Sequence, residues 1–452
     1  MAGPGDPGRA GDDANAGRPP EPDGAPPPAP SGEPEDPGGA APPSGEPDDP
    51  GWEAPPSDEG AHDHAGFVAA LRAARPAPDR VLDAFARIDR RHFLPGLEPA
   101  AVYVDDAVVT HTEHGGMPTS SSTQPSLMAA MLARLDVRPG DRVLEIGAGT
   151  GFNAALLADL AGHGGSVTAV DLQPEVAEGA KRNLRAAGIE GVGVVCGDGA
   201  HPPRGPYDRV IVTAGCWSVP TGLVAALAEG GVLVAPLRAN GVEVALALRR
   251  EGAALTGSGG VPCGFMPLRG GVPRPWRWEL GAGGDAAADA DLGTEGHGAV
   301  DRLLAAPARP VEEPELGEDR NALDALLWLG LRGDPLITLV PARPAAGRRP
   351  PWRVALASLP GSMLLFEIDH AALRGTELHG GDAALRALTD GLEAWRAAGR
   401  PRAGDLQVTI EPHAGRDLGG LPAPAPGGGA DVQRGAHRWT FRYASAAVPG
   451  AR

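Results

Sequence analysis

"VLEIGAGTGFNAALLA", Val143–Ala158, decides the fold. An apolar run enters a glycine-rich turn and leaves it with the pattern of a helix, the strand–turn–helix order of nucleotide-binding α/β domains. The surroundings keep that rhythm. "RVLEIG", "SVTAVD", "VGVVCG", "DRVIVTAG" and "GVLVAPL" read as strands, with helical stretches such as "PEVAEGAKRNLRAAG" between them and "SLMAAMLARLDV" ahead of them. Apolar strands separated by amphipathic helices argue for a parallel sheet covered on both faces. The expectation is a doubly wound, Rossmann-like α/β domain over residues 63–272.

The spacing of the glycines bears on the ligand. A dinucleotide fingerprint runs G-x-G-x-x-G, whereas here Gly147, Gly149 and Gly151 alternate and position 152 is Phe. Glu145 stands two residues ahead. A carboxylate there suits a ligand carrying positive charge and hydroxyls better than a pyrophosphate. S-adenosylmethionine has a sulfonium, an ammonium and no phosphate. Asp171 ends the next strand, where a carboxylate can accept from both hydroxyls of a ribose. Asp198, in "CGDGA", ends the third strand and is placed to accept from an adenine amino group. Leu172 and Gly199 adjoin these two and complete the candidate cofactor set.

Composition excludes several classes. The chain has 452 residues and a net charge of −18. Between Met1 and Ala65 stand fifteen acidic residues and two arginines, so that segment carries −13 of the total. No basic footprint for nucleic acid is present. No apolar run approaches the roughly 20 residues of a membrane span, and no secretory signal is visible. Cys196, Cys216 and Cys263 form no metal-ligand pattern, so no metal is expected. The expectation is a cytoplasmic protein with reduced thiols.

Residues 1–62, rich in Pro, Gly, Asp and Glu, read as a disordered tail. The near-repeat "PSGEPEDPG" and "PSGEPDDPG" within them reads as low-complexity drift. Residues 273–299 read as a linker. Residues 300–446 read as a second, α+β domain with helices "NALDALLWLGL" and "DAALRALTDGLEAWRAAG" and strands "PLITLV", "WRVALASL", "SMLLFEID", "DLQVTI" and "HRWTFRYAS". The Pro/Gly-rich piece at 419–430 reads as a loop. His111, His114, His163 and His201 read as surface or loop residues; Trp328, Trp352, Trp395 and Trp439 read as core.

From Val68 to Gly270 the chain resembles protein-L-isoaspartate O-methyltransferases. The resemblance rests on "RRHFLPG", "SSSTQPSLMAAML", "VLEIGAGTGFNAALLA", "GDGA", "PYDRVIVTAG", Val219–Pro220, "GGVLVAPL" and "GFMPL" in order. It implies a class I methyltransferase domain, S-adenosylmethionine as cofactor, and a peptide or protein bearing isoaspartate or aspartate as partner. Where the family usually has Ile-Ser-Gln-Pro or Ile-Ser-Ala-Pro, this chain has Ser122-Thr123-Gln124-Pro125. Thr123 then takes the position of the serine beside the substrate carboxylate, and Ser122 that of the isoleucine. The same run also suits a helix N-cap. Thr213, Ala214 and Gly215 are implied to wall the peptide site. Three readings follow: repair of isoaspartyl residues through a methyl ester that collapses to succinimide; tailoring of an aspartate in a dedicated, ribosomally made precursor peptide, as in extended actinobacterial members; and a non-catalytic cofactor-binding protein.

Overall fold

The structure is a computed structural model. It describes residues 61, 63–113, 118–272, 276–281, 284–288, 292–314, 316, 322–333, 335–340, 352–369, 372–413, 423–425 and 429–444. The acidic tail expected at 1–62 lies outside the described residues, apart from Ala61.

Helices α1 (His64–Ala74) and α2 (Asp79–Arg87), a 3-10 turn at Arg90–Phe93 and the short α3 (Pro99–Val102) lead into the domain. Strands β1 (Val108–Thr112) and β2 (Pro118–Ser122) form a separate antiparallel pair, and α4 (Pro125–Leu135) follows. Then comes the alternation read from the sequence: β3 (Arg142–Ile146), α5 (Phe152–Ala161), β4 (Ser166–Asp171), α6 (Pro174–Ala186), β5 (Val192–Cys196), β6 (Tyr207–Val212), α7 (Thr221–Ala226) and β7 (Leu227–Ala239). These five strands are parallel in the order β7-β6-β3-β4-β5. Neighbours leave β3 in both directions, so a crevice opens at its carboxyl end. Alternate side chains serve opposite faces: Val143, Ile211 and Val234 pack with α1, α2, α4 and α5, while Leu144, Val210 and Leu233 join the core on the other side. The doubly wound α/β fold is therefore present.

The rest departs from the expected linker and separate domain. Strands β8 (Val242–Glu251) and β9 (Ala254–Cys263) continue the sheet antiparallel. The stretch 273–299 holds β10 (Trp276–Glu279), β11 (Asp285–Ala288) and the start of α8 (Gly293–Ala305). After it come β12 (Ala308–Pro310), α9 (Ala322–Leu331), β13 (Leu336–Val340), β14 (Trp352–Ser358), β15 (Ser362–Asp369), β16 (Ala372–Gly380), α10 (Ala383–Ala397), β17 (Leu406–Pro412), β18 (Ala423–Ala425), β19 (Gly429–Arg434) and β20 (His437–Tyr443). Seven of these strands make a second sheet, β10-β11-β13-β14-β15-β16-β12. The last four extend the first. β17 pairs with β9 through Gln407↔Ser258 to Ile410↔Leu255, which makes an eleven-stranded sheet.

The physical reason is edge satisfaction. The outer edge of β9 presents N–H and C=O groups that need partners, and β17 supplies them. All ten residues of α9 are buried, and a helix buried on every side must lie between two layers. It does: α9 and α10 share one core with residues of both sheets, including Leu246 of β8, Leu356 of β14 and Leu364 of β15. Trp328, Trp395 and Trp439 belong to that core, at 3%, 0% and 0% exposure. The described parts of the 419–430 piece are β18 and the first residues of β19, paired with each other. No helix among the described residues is long and apolar enough to cross a membrane.

Candidate active site

The crevice at the end of β3 is lined by the glycine turn. Gly147, Gly149 and Gly151 all have positive φ, at 98°, 52° and 87°. At Gly147 the need for glycine is also steric: a Cβ there would sit 2.5 Å from Thr213 Oγ1. That hydroxyl donates to Gly147 O at 2.8 Å, which ties the segment after β6 to the glycine turn. Gly149 lies under β2, where a Cβ would meet Ser121 O at 3.4 Å. Gly151 starts α5.

The three acidic residues differ in environment. Glu145 is fully buried. Its Oε1 accepts from Asn153 Nδ2 at 2.8 Å, and its Oε2 has no partner. Burial, against the Asn153 hydrogen bond and reinforced by Asp171, pushes its carboxyl up to about 8. Asp171 Oδ2 accepts from Gly149 N and Oδ1 from Gln173 N, both at 3.1 Å. Burial raises it too, opposed by those two N–H groups and by Arg269. Asp198 accepts from Ala200 N at 2.9 Å and from Gly271 N at 2.7 Å. Burial works against its ionised form, but these N–H groups outweigh it and hold the carboxyl below its ordinary value. Leu172 is 39% exposed, and Gly199 packs against Ile146.

One cavity is lined by Ser122, Thr123, Glu145, Gly147, Gly149 and Thr213, among others. It thus joins the Ser/Thr run, the glycine turn and Thr213 after β6. Gly151, Asp171, Leu172, Asp198, Gly199, Ala214 and Gly215 fall outside its lining. The two hydroxyl residues are not equivalent. Ser122, 3% exposed, accepts from Arg90 Nη2 at 3.3 Å. Thr123 is half-buried, and its carbonyl accepts from the same nitrogen at 3.3 Å.

Four supporting residues were not singled out from the sequence. Arg90 is 0% exposed and donates to Val102 O, Val104 O and Asp106 O as well as to the 122–123 segment. Burial lowers its guanidinium to about 10, with Asp105 and Asp106 opposing. Asp105 accepts from Ser126 N at 2.8 Å at the start of α4, whose N-cap Gln124 makes no side-chain cap bond. The cap is therefore Asp105, not the Ser/Thr run. Asn153 holds Glu145. Arg269 donates to Glu113 at 2.6 Å and to Gln173 Oε1, linking the β1–β2 pair to the residue two beyond Asp171. His111, expected on the surface or in a loop, is a β1 residue whose Nδ1 lies 2.7 Å from Thr119 Oγ1 and 3.3 Å from Gln173 Nε2. His163 and His201 are exposed; His114 lies outside the described residues. "RRHFLPG" carried Arg90 in plain view, but only the fold brings it behind Ser122.

These residues fit the expected cofactor. Glu145, which lines one cavity with the glycine turn, keeps a partnerless buried carboxylate oxygen, and Asp171 keeps lone pairs for a diol. Residues 62–272 match the family model described as Protein-L-isoaspartate(D-aspartate) O-methyltransferase. The protein-L-isoaspartate O-methyltransferase of Methanoculleus marisnigri is 39% identical over 203 residues, 44% of this chain and 88% of that protein. Protein-L-isoaspartate O-methyltransferase 1 of Archaeoglobus fulgidus is 40% identical over 169 residues, 37% of this chain and 76% of that protein. A solved protein-L-isoaspartate O-methyltransferase superposes with a TM-score of 0.45 at 24% identity, over 77% of this chain and 96% of that one. The chain belongs to the protein-L-isoaspartate O-methyltransferase family of S-adenosylmethionine-dependent methyltransferases.

Proposed function

We propose that the chain methylates the α-carboxylate of an L-isoaspartyl residue, or an aspartyl carboxylate, in a peptide, and that Thr123 orients that carboxylate. The observation that carries this reading is the single cavity shared by Thr123, the glycine turn and Thr213. When bound, S-adenosylmethionine supplies an electrophilic methyl group on a sulfonium. The acceptor is an anion at neutral pH, since a free carboxyl titrates near pH 4, so no general base is needed. The task left to the protein is alignment and exclusion of water. Thr123 donates one charge-assisted hydrogen bond to the acceptor, while Arg90 holds the 122–123 backbone from behind. Ser122 assists by anchoring to Arg90. Glu145 and Asp171 hold the cofactor side, and Thr213, Ala214 and Gly215 form the peptide wall.

The test is transfer of labelled methyl from S-adenosylmethionine to an isoaspartyl peptide, with base-labile ester as the product. No transfer to isoaspartyl or aspartyl peptides overturns the reading. A second reading, tailoring of one dedicated precursor peptide, is favoured by the residues after 272 that share a core with the methyltransferase domain. A strong preference for one peptide over a panel of isoaspartyl sequences would select it.

Glu145 gives this reading a pH signature. Its folded pKa of about 8 lies above the ordinary carboxyl value. Stability tied to the protonated form is therefore full at acid pH and is lost as pH rises through about 8. A cationic ligand beside Glu145 favours the ionised form, so binding below about pH 8 should release a proton and tighten as pH rises. Calorimetry in buffers of different ionisation enthalpy should detect that release in the native protein and lose it in Glu145→Gln.

A further inference from the structure

We propose that Arg434, far outside the methyltransferase domain, is a positioning residue for the peptide acceptor: it fixes the loop that carries the acceptor wall. This rests on the reading of Thr213–Gly215 as that wall. The loop runs from 213 to 220, between β6 and α7. Its start is tied to the glycine turn through Thr213. Its remainder, from Gly215 to Pro220, is buried, with Trp217 at 3% and Ser218 at 4% exposure.

The turn between β19 and β20 covers this buried half. Arg434 is 0% exposed. Its guanidinium carbon lies 5.5 Å from the centroid of the Trp217 ring and 5.4 Å from that of Trp439. Its Nη1 donates to Trp217 O at 3.5 Å and to Arg238 O. Arg238 N in turn donates to Cys216 O at 2.9 Å. Gly435, at φ 58°, brings the turn against Ser218, where a Cβ would lie 3.5 Å from Ser218 Cβ.

One guanidinium thus joins the wall loop, the end of β7 and the C-terminal hairpin. A buried cation carries a desolvation cost that an apolar side chain of equal volume avoids. Filling space does not call for arginine here. What arginine adds is direction: a guanidinium over the Trp217 ring whose Nη1 donates to both Trp217 O and Arg238 O fixes the loop against the end of β7. The acids of the cofactor side stand at the ends of β3, β4 and β5 and make none of these contacts. Loosening Arg434 should therefore be felt by the peptide and not by the cofactor.

The test uses the full chain. Arg434→Met keeps apolar volume between the two indoles but removes the charge and the carbonyl bonds. KM for an isoaspartyl peptide should rise about tenfold, with kcat and the S-adenosylmethionine Kd changed less than about twofold. Arg434→Lys, which keeps the charge and loses the plane, should fall between and remains informative if the Met variant does not fold. Arg442→Gln, which breaks a partly exposed pair with Asp431 on the same hairpin, should leave KM unchanged. An unchanged KM in a folded Arg434 variant overturns the inference, as do equal losses of peptide and cofactor binding. Failure of the native protein to methylate any isoaspartyl peptide overturns the acceptor reading itself, and this inference with it.

Discussion

Replacing Asp171 with alanine is expected to weaken S-adenosylmethionine binding by about 100-fold or more, because two ribose hydroxyls lose a shared, charged acceptor worth roughly 1.5–3 kcal/mol per bond. The geometry adds a second loss. Asp171 also receives Gly149 N, so the variant frees the middle of the glycine turn. Asp171→Asn separates the two effects. It keeps one oxygen for a hydroxyl or for the turn, and should lose less than alanine. Equilibrium titration with S-adenosylmethionine checks the order, with a thermal melt of each cofactor-free variant alongside. Binding by Asp171→Ala within a factor of a few of the native protein would remove Asp171 from the cofactor site.

The asymmetry of the three acids sharpens this choice of residue. Asp198 already accepts from Ala200 N and Gly271 N, so part of any effect of its removal would come from releasing the 270–271 backbone. Glu145 is wholly buried and keeps one oxygen without a partner, which makes it sensitive to charge. Asp171 alone combines a position at a strand end with direct contact to the turn.

Much of this site could be read in the sequence. Strands β3 to β7 announced themselves because each holds a short apolar run, and α6 between β4 and β5 has a clear amphipathic period. The glycine turn and its acids lie within sixty residues of one another, so local pattern was enough. The extension was harder to read for a physical reason. Asp285–Ala288 is "DAAA", poor in strand formers, and becomes β11 only because β13 and β10 flank it. β9, "ALTGSGGVPC", looks like a loop, yet Gly257 and Gly260 are required there by the close approach of β8. One signal in the extension is legible. "ALDALLWLGL" is apolar but for Asp324, a pattern that suits a helix packed between two layers. Arg90 and Arg434 could not have been found. Each acts on a segment far away in sequence, 32 residues for Ser122 and 217 for Trp217.

Substituting Thr123 with valine is expected to leave fold and cofactor affinity intact and to lower methyl transfer about 10- to 1000-fold, the scale of losing one positioned hydrogen bond to a charged group. Valine is nearly isosteric, so the cavity keeps its shape and only the hydroxyl goes. A competing role as helix cap would make the same variant lose about 1 kcal/mol of stability. That role belongs to Asp105, which receives Ser126 N at 2.8 Å, so the melting temperature of Thr123→Val should stay near that of the native protein. Thr123→Ser keeps the hydroxyl and should keep most of the activity. Thermal melts and tritiated methyl transfer to an isoaspartyl peptide, run on the same samples, decide between these outcomes. A folded valine variant with native turnover would mean that the acceptor is oriented by other groups, and the backbone N–H groups of the Thr213–Gly215 wall would then be the next donors to test. A valine variant that loses stability in step with activity would instead return Thr123 to a structural role, since removing an orienting hydroxyl slows the reaction without weakening the fold.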